Sequence, residues 1–263
     1  MENSVKEVRN HIVFDSDGEH KVSLKNENYD HIFNIQKNQN ITLYLSDISS
    51  NVLINVNDGA YLKLLLIIDG VDNNINLDVK CKKEATFECV FGDFANSNTT
   101  FNSKVDLLGE ESKGEVIFSA VSNDRFKKHF VCNFNHFNVN TESNLKAFGV
   151  SLKNSEISIK GDSYIPKNAV KSRASQDAKI ILFDKESRGI ASPILKIECD
   201  DIKANHACSI GSINEEHLYY LMSRGLDIET VRKLIVLGYI TPIKAYFNDE
   251  VKEYIDKFIG RTF

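Results

Sequence analysis

Two residues near the end of the chain have the types and spacing to hold a metal. His206 and Cys208 are separated by a single residue, so in an extended strand their side chains point to the same side. A neutral imidazole and a thiolate both ligate transition metals such as iron. The plain alternative is that His206 closes a turn by hydrogen bonding and Cys208 fills core space, since free cysteine is commonly buried. The remaining cysteines, Cys81, Cys89, Cys132 and Cys199, are widely spaced, and the total of five is odd. There is no Cys-x-x-Cys pair. That fits neither a zinc site nor a disulfide framework, and packing is the expectation for each of the four.

Other chemistry finds little support. Asp200-Asp201 and Glu215-Glu216 read as an acidic strand end and a charged helix start rather than catalytic pairs. Lys127-Lys128-His129 reads as a solvated face. No phosphate-binding Gly-x-x-x-x-Gly-Lys-Ser/Thr loop, Gly-x-Gly-x-x-Gly fingerprint or Gly-x-Ser-x-Gly elbow occurs. Nucleotide hydrolysis, dinucleotide binding and Ser-His-Asp hydrolysis therefore lack their signatures. Tyr219, Tyr220, Arg224 and Gly225 form a group of another kind. Tyrosine and arginine are enriched at interface hot spots, although Tyr220 with Leu221 would equally dock a helix on a β body.

The elements that must position these residues follow from hydrophobic rhythm. Up to about Ile210, short β-prone runs such as Ile41-Thr42-Leu43-Tyr44-Leu45 and Ile75-Asn76-Leu77-Asp78-Val79 alternate with polar turns. Over the first half they recur about every 11 residues, the spacing of an all-β domain. Rhythm alone fits a sandwich or a solenoid. Asn-rich turns such as Asp72-Asn73-Asn74, without Asn-Gly hairpin signals, lean towards stacked coils. After Ile213 the period becomes helical. Asn214 caps a first helix that stops at Gly225. Asp227 caps a second that Gly238 ends, with Pro242 in the connection. A third begins near Asp249 and closes at Gly260. The expected division is a β core over 1–212 and a helical segment over 213–263.

Of the 263 residues, 42% are hydrophobic and 26% charged, with a net charge of −5. This is the composition of a globular protein, without the basic face that nucleic-acid or membrane-surface binding needs. Residues 1–10 are polar, and no apolar run approaches a membrane span. Reduced, unpaired cysteines then point to a cytoplasmic protein.

The stretch 196–238, KIECDDIKANHACSIGSINEEHLYYLMSRGLDIETVRKLIVLG, resembles the C-terminal signature of the SufB/SufD family of the Suf iron–sulfur cluster assembly system. Members show an acidic strand end, Val-Lys-x-x-His-Gly/Ala and a glycine turn, then a di-acidic helix start, an aromatic pair and Ser-Arg-Gly. Here these are Asp200-Asp201-Ile202-Lys203, His206-Ala207, Gly211, Glu215-Glu216, Tyr219-Tyr220 and Ser223-Arg224-Gly225. Upstream, Asp106-Leu107-Leu108-Gly109, His136 ahead of Thr141-Glu142-Ser143, Ser175-Gln176 and Ser192-Pro193 are similar to residues of the family.

The resemblance implies a right-handed parallel β-helix with a small C-terminal helical segment, and a scaffold rather than an enzyme. It implies an ABC-type ATPase (SufC-like) bound through the helices, at Tyr219, Tyr220, Arg224 and Gly225. It further implies pairing with itself or a sister SufB/SufD subunit, a cysteine desulfurase as sulfur donor, and a transient iron–sulfur cluster near the subunit interface, with His206 and Cys208 as candidate ligands. Two positions depart from the SufB branch. Ser187 stands where that branch has a cysteine, and Ala207 where it has Glu, so the chain leans towards SufD. A β-helix carbohydrate-active enzyme and a structural interaction module without cluster binding are the alternative readings.

Overall fold

The structure, a computed structural model, describes residues 5–8, 11–24, 31–48, 51–213 and 215–262. The proposed cap Asn214 lies outside the described residues. Seventeen strands precede three helices. The even-numbered strands from β2 (His11–Phe14) to β16 (Arg188–Ile197) stack in one sheet, and the odd-numbered strands from β3 (Gly18–Ser23) to β17 (Lys203–Ser212) in the other. Consecutive strands thus alternate between two facing sheets, and each strand pairs in parallel with the one two further on. This is a parallel β-solenoid. Only β1 (Val5–Val8) runs antiparallel to its neighbour among the described residues, covering the β2 edge.

Strict alternation builds this wall. Along β12 (Lys127–His136) and β14 (Glu156–Ile165) every second residue is buried. Many inward positions, Phe130, Phe134, Ile157, Ile159 and Ile165 among them, carry β-branched or aromatic residues, which suit a pleated, buried surface. In-register stacking joins like residues of successive coils. Phe101 pairs with Phe130, and Phe91 stacks on Phe118 with ring centroids 4.6 Å apart. Several corners use asparagine or aspartate at positive φ, as at Asn38 and Asn140, where local hydrogen bonding offsets the strain. Gly109 is needed for close approach, because a Cβ there would lie 2.0 Å from the backbone nitrogen of Lys83.

Two of the three helices lie against the second sheet. Helix α2 (Ile228–Lys244) buries Val231, Val236, Ile240 and Ile243, the last three joining Leu65, Val90, Ile117 and Val150 of the sheet in one apolar cluster. Ser119 Oγ donates to the Tyr239 carbonyl at 2.8 Å, a polar tie between sheet and helix. Asp227 caps α2 by accepting from the Thr230 N–H at 2.9 Å. Contrary to the sequence reading, α2 runs through Gly238 and contains Pro242, because apolar residues on both sides of Gly238 are held by the sheet, which outweighs local propensity. Helix α3 (Asp249–Thr262) likewise passes Gly260, anchored by Ile255 and Ile259. Helix α1 (Glu215–Ser223) packs against α2, and Gly225 follows it at φ +93°, a conformation glycine adopts without penalty.

Candidate functional site

The last coil carries the predicted metal ligands. Strand β17 pairs with β15 (Arg173–Leu182), setting His206 beside Gln176 and Cys208 beside Ala178. In β15 the buried, inward positions are Ala174, Gln176, Ala178 and Ile180. Ala204, His206, Cys208 and Ile210 inherit that inward parity. The expected sharing of one side by His206 and Cys208 follows from this register. Among the described residues no strand lies beyond β17 or β16 in either sheet, so residues that would be core in any earlier coil are uncovered here. His206 and Cys208 are exposed, and Ile197 and Ile210 are 42% and 43% exposed. The solenoid ends in an open, partly apolar face bearing an imidazole and a thiol. Among the described residues, no group of three or more His, Cys, Asp or Glu comes close enough to hold a metal ion.

The other cysteines are packing residues. Cys81, Cys89 and Cys132 are wholly buried. Burial pushes the Cys81 and Cys89 thiols far up and that of Cys132 up to about 12, so they stay protonated and poor ligands. Cys199 is buried beside Ile165, Ala169 and Ala174. Ser187 is locked in its turn. Its Oγ donates to Asp184 Oδ1 at 2.7 Å and its N–H to the same oxygen at 2.8 Å. Burial pushes the Asp184 carboxyl up, but these bonds and the N–H groups of Lys153 and Asn154 outweigh it and hold the carboxyl below its usual range.

His136 is a satisfied core histidine. Its Nδ1 bonds Thr141 Oγ1 at 2.7 Å and its Nε2 bonds Ser143 Oγ at 2.9 Å, and burial lowers its pKa to about 4. The basic cluster is corrected. Lys128 is not on a solvated face but wholly buried, bonded to Asp93 and, at 2.8 Å, to the Ala95 carbonyl. Its partner lies 35 residues away, beyond any local sequence signal.

The second candidate surface is on α1. Tyr219 and Tyr220 are 76% and 54% exposed, and the Arg224 guanidinium stands 5.1 Å from the Tyr220 ring centroid. Tyr220 is therefore not the residue that docks α1 on the β body. The sequence marks Gln176 only as part of Ser175-Gln176, similar to residues of the family, and its place under His206 is a matter of register. It also did not foresee the uncovered last coil, although a run of small inward residues such as Ala174, Ala178, Gly189, Ala191 and Ala204 marks the thinning interior.

Fold and site together define a parallel β-solenoid with an open end that carries His206 and Cys208, and a helical tail. The family model described as the SUF system FeS cluster assembly, SufBD core domain, matches residues 15–239, and the chain belongs to this family. It is 28% identical over 161 residues to the iron–sulfur cluster assembly protein SufD of Bacillus subtilis, covering 61% of this chain and 37% of that protein. To SufB of the same organism it is 26% identical over 197 residues, covering 74% and 42%. To a SufBD family protein of Mycobacterium bovis it is 30% identical over 206 residues, covering 76% and 24%. The chain thus spans less than half the length of these relatives. Family membership places it in iron–sulfur cluster assembly by the Suf system. Among the described residues no helix is long and apolar enough to cross a membrane.

Proposed function

We propose that the chain is a non-enzymatic scaffold subunit on whose open end an iron–sulfur cluster is assembled. The observation that carries this is the last coil, where His206 and Cys208 share the inward parity yet are uncovered. Two donors do not complete the four ligands of a cluster. The exposed Ile197 and Ile210 also call for a cover, as terminal coils of solenoids do. A second scaffold subunit, a copy or a sister, supplies both when it packs end to end against this one. The cluster is cargo, made from iron and from sulfur delivered by a cysteine desulfurase, and the setting is the cytoplasm.

An ABC-type ATPase docks on α1 through Tyr219, Tyr220 and Arg224, with Gly225 setting the exit of the helix. Its closure displaces the helical tail. Because α2 is anchored on the sheet by Val236, Ile240 and Ile243, the pull reaches a stiff solenoid and shifts one open end against the other. A ligand-bearing interface that opens and closes can accept iron and sulfide and release a cluster. Anaerobic reconstitution with iron and sulfide tests this reading. Visible cluster absorbance is expected in the wild type and is lost in His206→Ala. Equal absorbance in both proteins would refute it.

A further inference from the structure

A cleft of about 430 Å³ opens between the solenoid and the helical tail, within the usual size of small-molecule sites. One wall is solenoid. It holds Leu152, Lys153, Phe183 and Asp184, from the stacked turns that follow β13 (Glu142–Ser151) and β15. The other wall is tail, with Glu229 and Arg232 of α2 and Thr262 of α3. Each wall thus carries one cation and one carboxylate. Among the described residues no ion pair uses Asp184, Glu229 or Arg232, and Lys153 stands 3.9 Å from Asp124, with both side chains exposed. Asp184 is held ionised by three N–H groups and the Ser187 hydroxyl. These donors are neutral and leave its charge uncompensated. Its Oδ2 takes one of the four bonds, from the Lys153 N–H at 2.6 Å, and has a lone pair left for another donor.

We propose that this cleft binds a free α-amino acid with an apolar side chain. Its carboxylate lies on Arg232 and Lys153, its ammonium on Asp184 and Glu229, and its side chain against Leu152 and Phe183. Two charges of each sign make the cleft neutral as a whole. That disfavours a simple anion or cation, which would meet a like charge on either wall, and suits a ligand that carries both charges. Arginine takes a carboxylate with two parallel hydrogen bonds, and an ammonium supplies the donors that carboxylates accept. The bound molecule touches solenoid and tail together, so it ties α2 and α3 to the turns after β13 and β15. This site is separate from the open end and does not depend on the scaffold reading.

Ligand-observed NMR titration of the full chain with L-leucine, L-methionine and L-phenylalanine tests this. At least one is expected to bind saturably with a Kd of about 1 mM or tighter. Its N-acetyl form, which lacks the ammonium, and its amide form, which lacks the carboxylate, are each expected to bind at least about tenfold more weakly, the loss of one charge-assisted contact. Arg232→Gln and Glu229→Gln change exposed side chains, so the unfolding midpoint stays put. Arg232→Gln is expected to weaken the amino acid and leave its amide form unaffected. Glu229→Gln is expected to weaken the amino acid and leave its N-acetyl form unaffected. Saturable binding by none of the three amino acids overturns the proposal. So does equal binding of the parent and its acetylated or amidated form, and so does unchanged affinity in both variants, which puts the ligand elsewhere.

Discussion

Lys128 and Asp93 form an ion pair in which both side chains are wholly shielded from solvent. The pair joins β12 to the end of β9 (Thr86–Asp93), next to Phe94, which packs on Phe258 of α3 at 5.2 Å between ring centroids. Desolvation lowers the Lys128 pKa, against the attraction of Asp93. Removing one partner of such a pair leaves an uncompensated buried charge, which costs about 3–5 kcal/mol. Lys128→Met is expected to lose that much in urea unfolding, and Lys128→Met with Asp93→Leu to regain part of it. Equal stability of the wild type and Lys128→Met would show that the pair is not what holds this corner.

Acid weakens the fold through His136. Its folded pKa is about 4, below the ordinary value of about 6.5, so the unfolded chain takes up the proton first. The stabilising contribution is complete above about pH 6.5 and is lost as pH falls towards 4. At most it is about 3 kcal/mol. Urea midpoints measured from pH 7.5 to 5 are expected to drop, and His136→Gln to flatten the slope. An unchanged slope in the variant assigns the acid sensitivity elsewhere.

Docking of the ATPase is expected to depend on α1. Tyr220→Ala with Arg224→Ala removes an exposed aromatic and the cation resting on it. Hot-spot residues of this type are worth about 2 kcal/mol or more each, so co-purification of the ATPase subunit should fall at least tenfold while the unfolding midpoint stays put. Undiminished co-purification places the docking surface elsewhere.

The open end is expected to mediate subunit pairing. Ile197→Asp and Ile210→Asp put charges on a face that is already solvated in the single chain, so folding is preserved. Sedimentation should nevertheless show smaller assemblies. Wild-type assemblies in both variants would contradict end-to-end packing.

The strands were legible because alternation and burial have the same period. Ile75, Leu77 and Val79 face the core, as the rhythm of that run requires. The capping of α2 by Asp227 was equally local. What failed was local reasoning about non-local contacts. Gly238 and Pro242 look like a helix stop until Ile240 and Ile243 are seen to be held by the sheet. Lys128 looks solvated until Asp93 is brought to it from another coil. The parity of His206 and Cys208 could be read from spacing, whereas their exposure depends on β16 and β17 being the last strands of the two sheets among the described residues, at which the small inward residues before them only hint.

The most direct test uses Cys208, the exposed cysteine among four buried ones. Its rate of alkylation is measured by mass spectrometry before and after anaerobic loading with iron and sulfide, with the silent buried thiols as internal reference. Loading is expected to protect Cys208 in the wild type, and His206→Ala to abolish the protection. Cys208 reacting at the same rate in loaded and unloaded protein would contradict a cluster held at the open end.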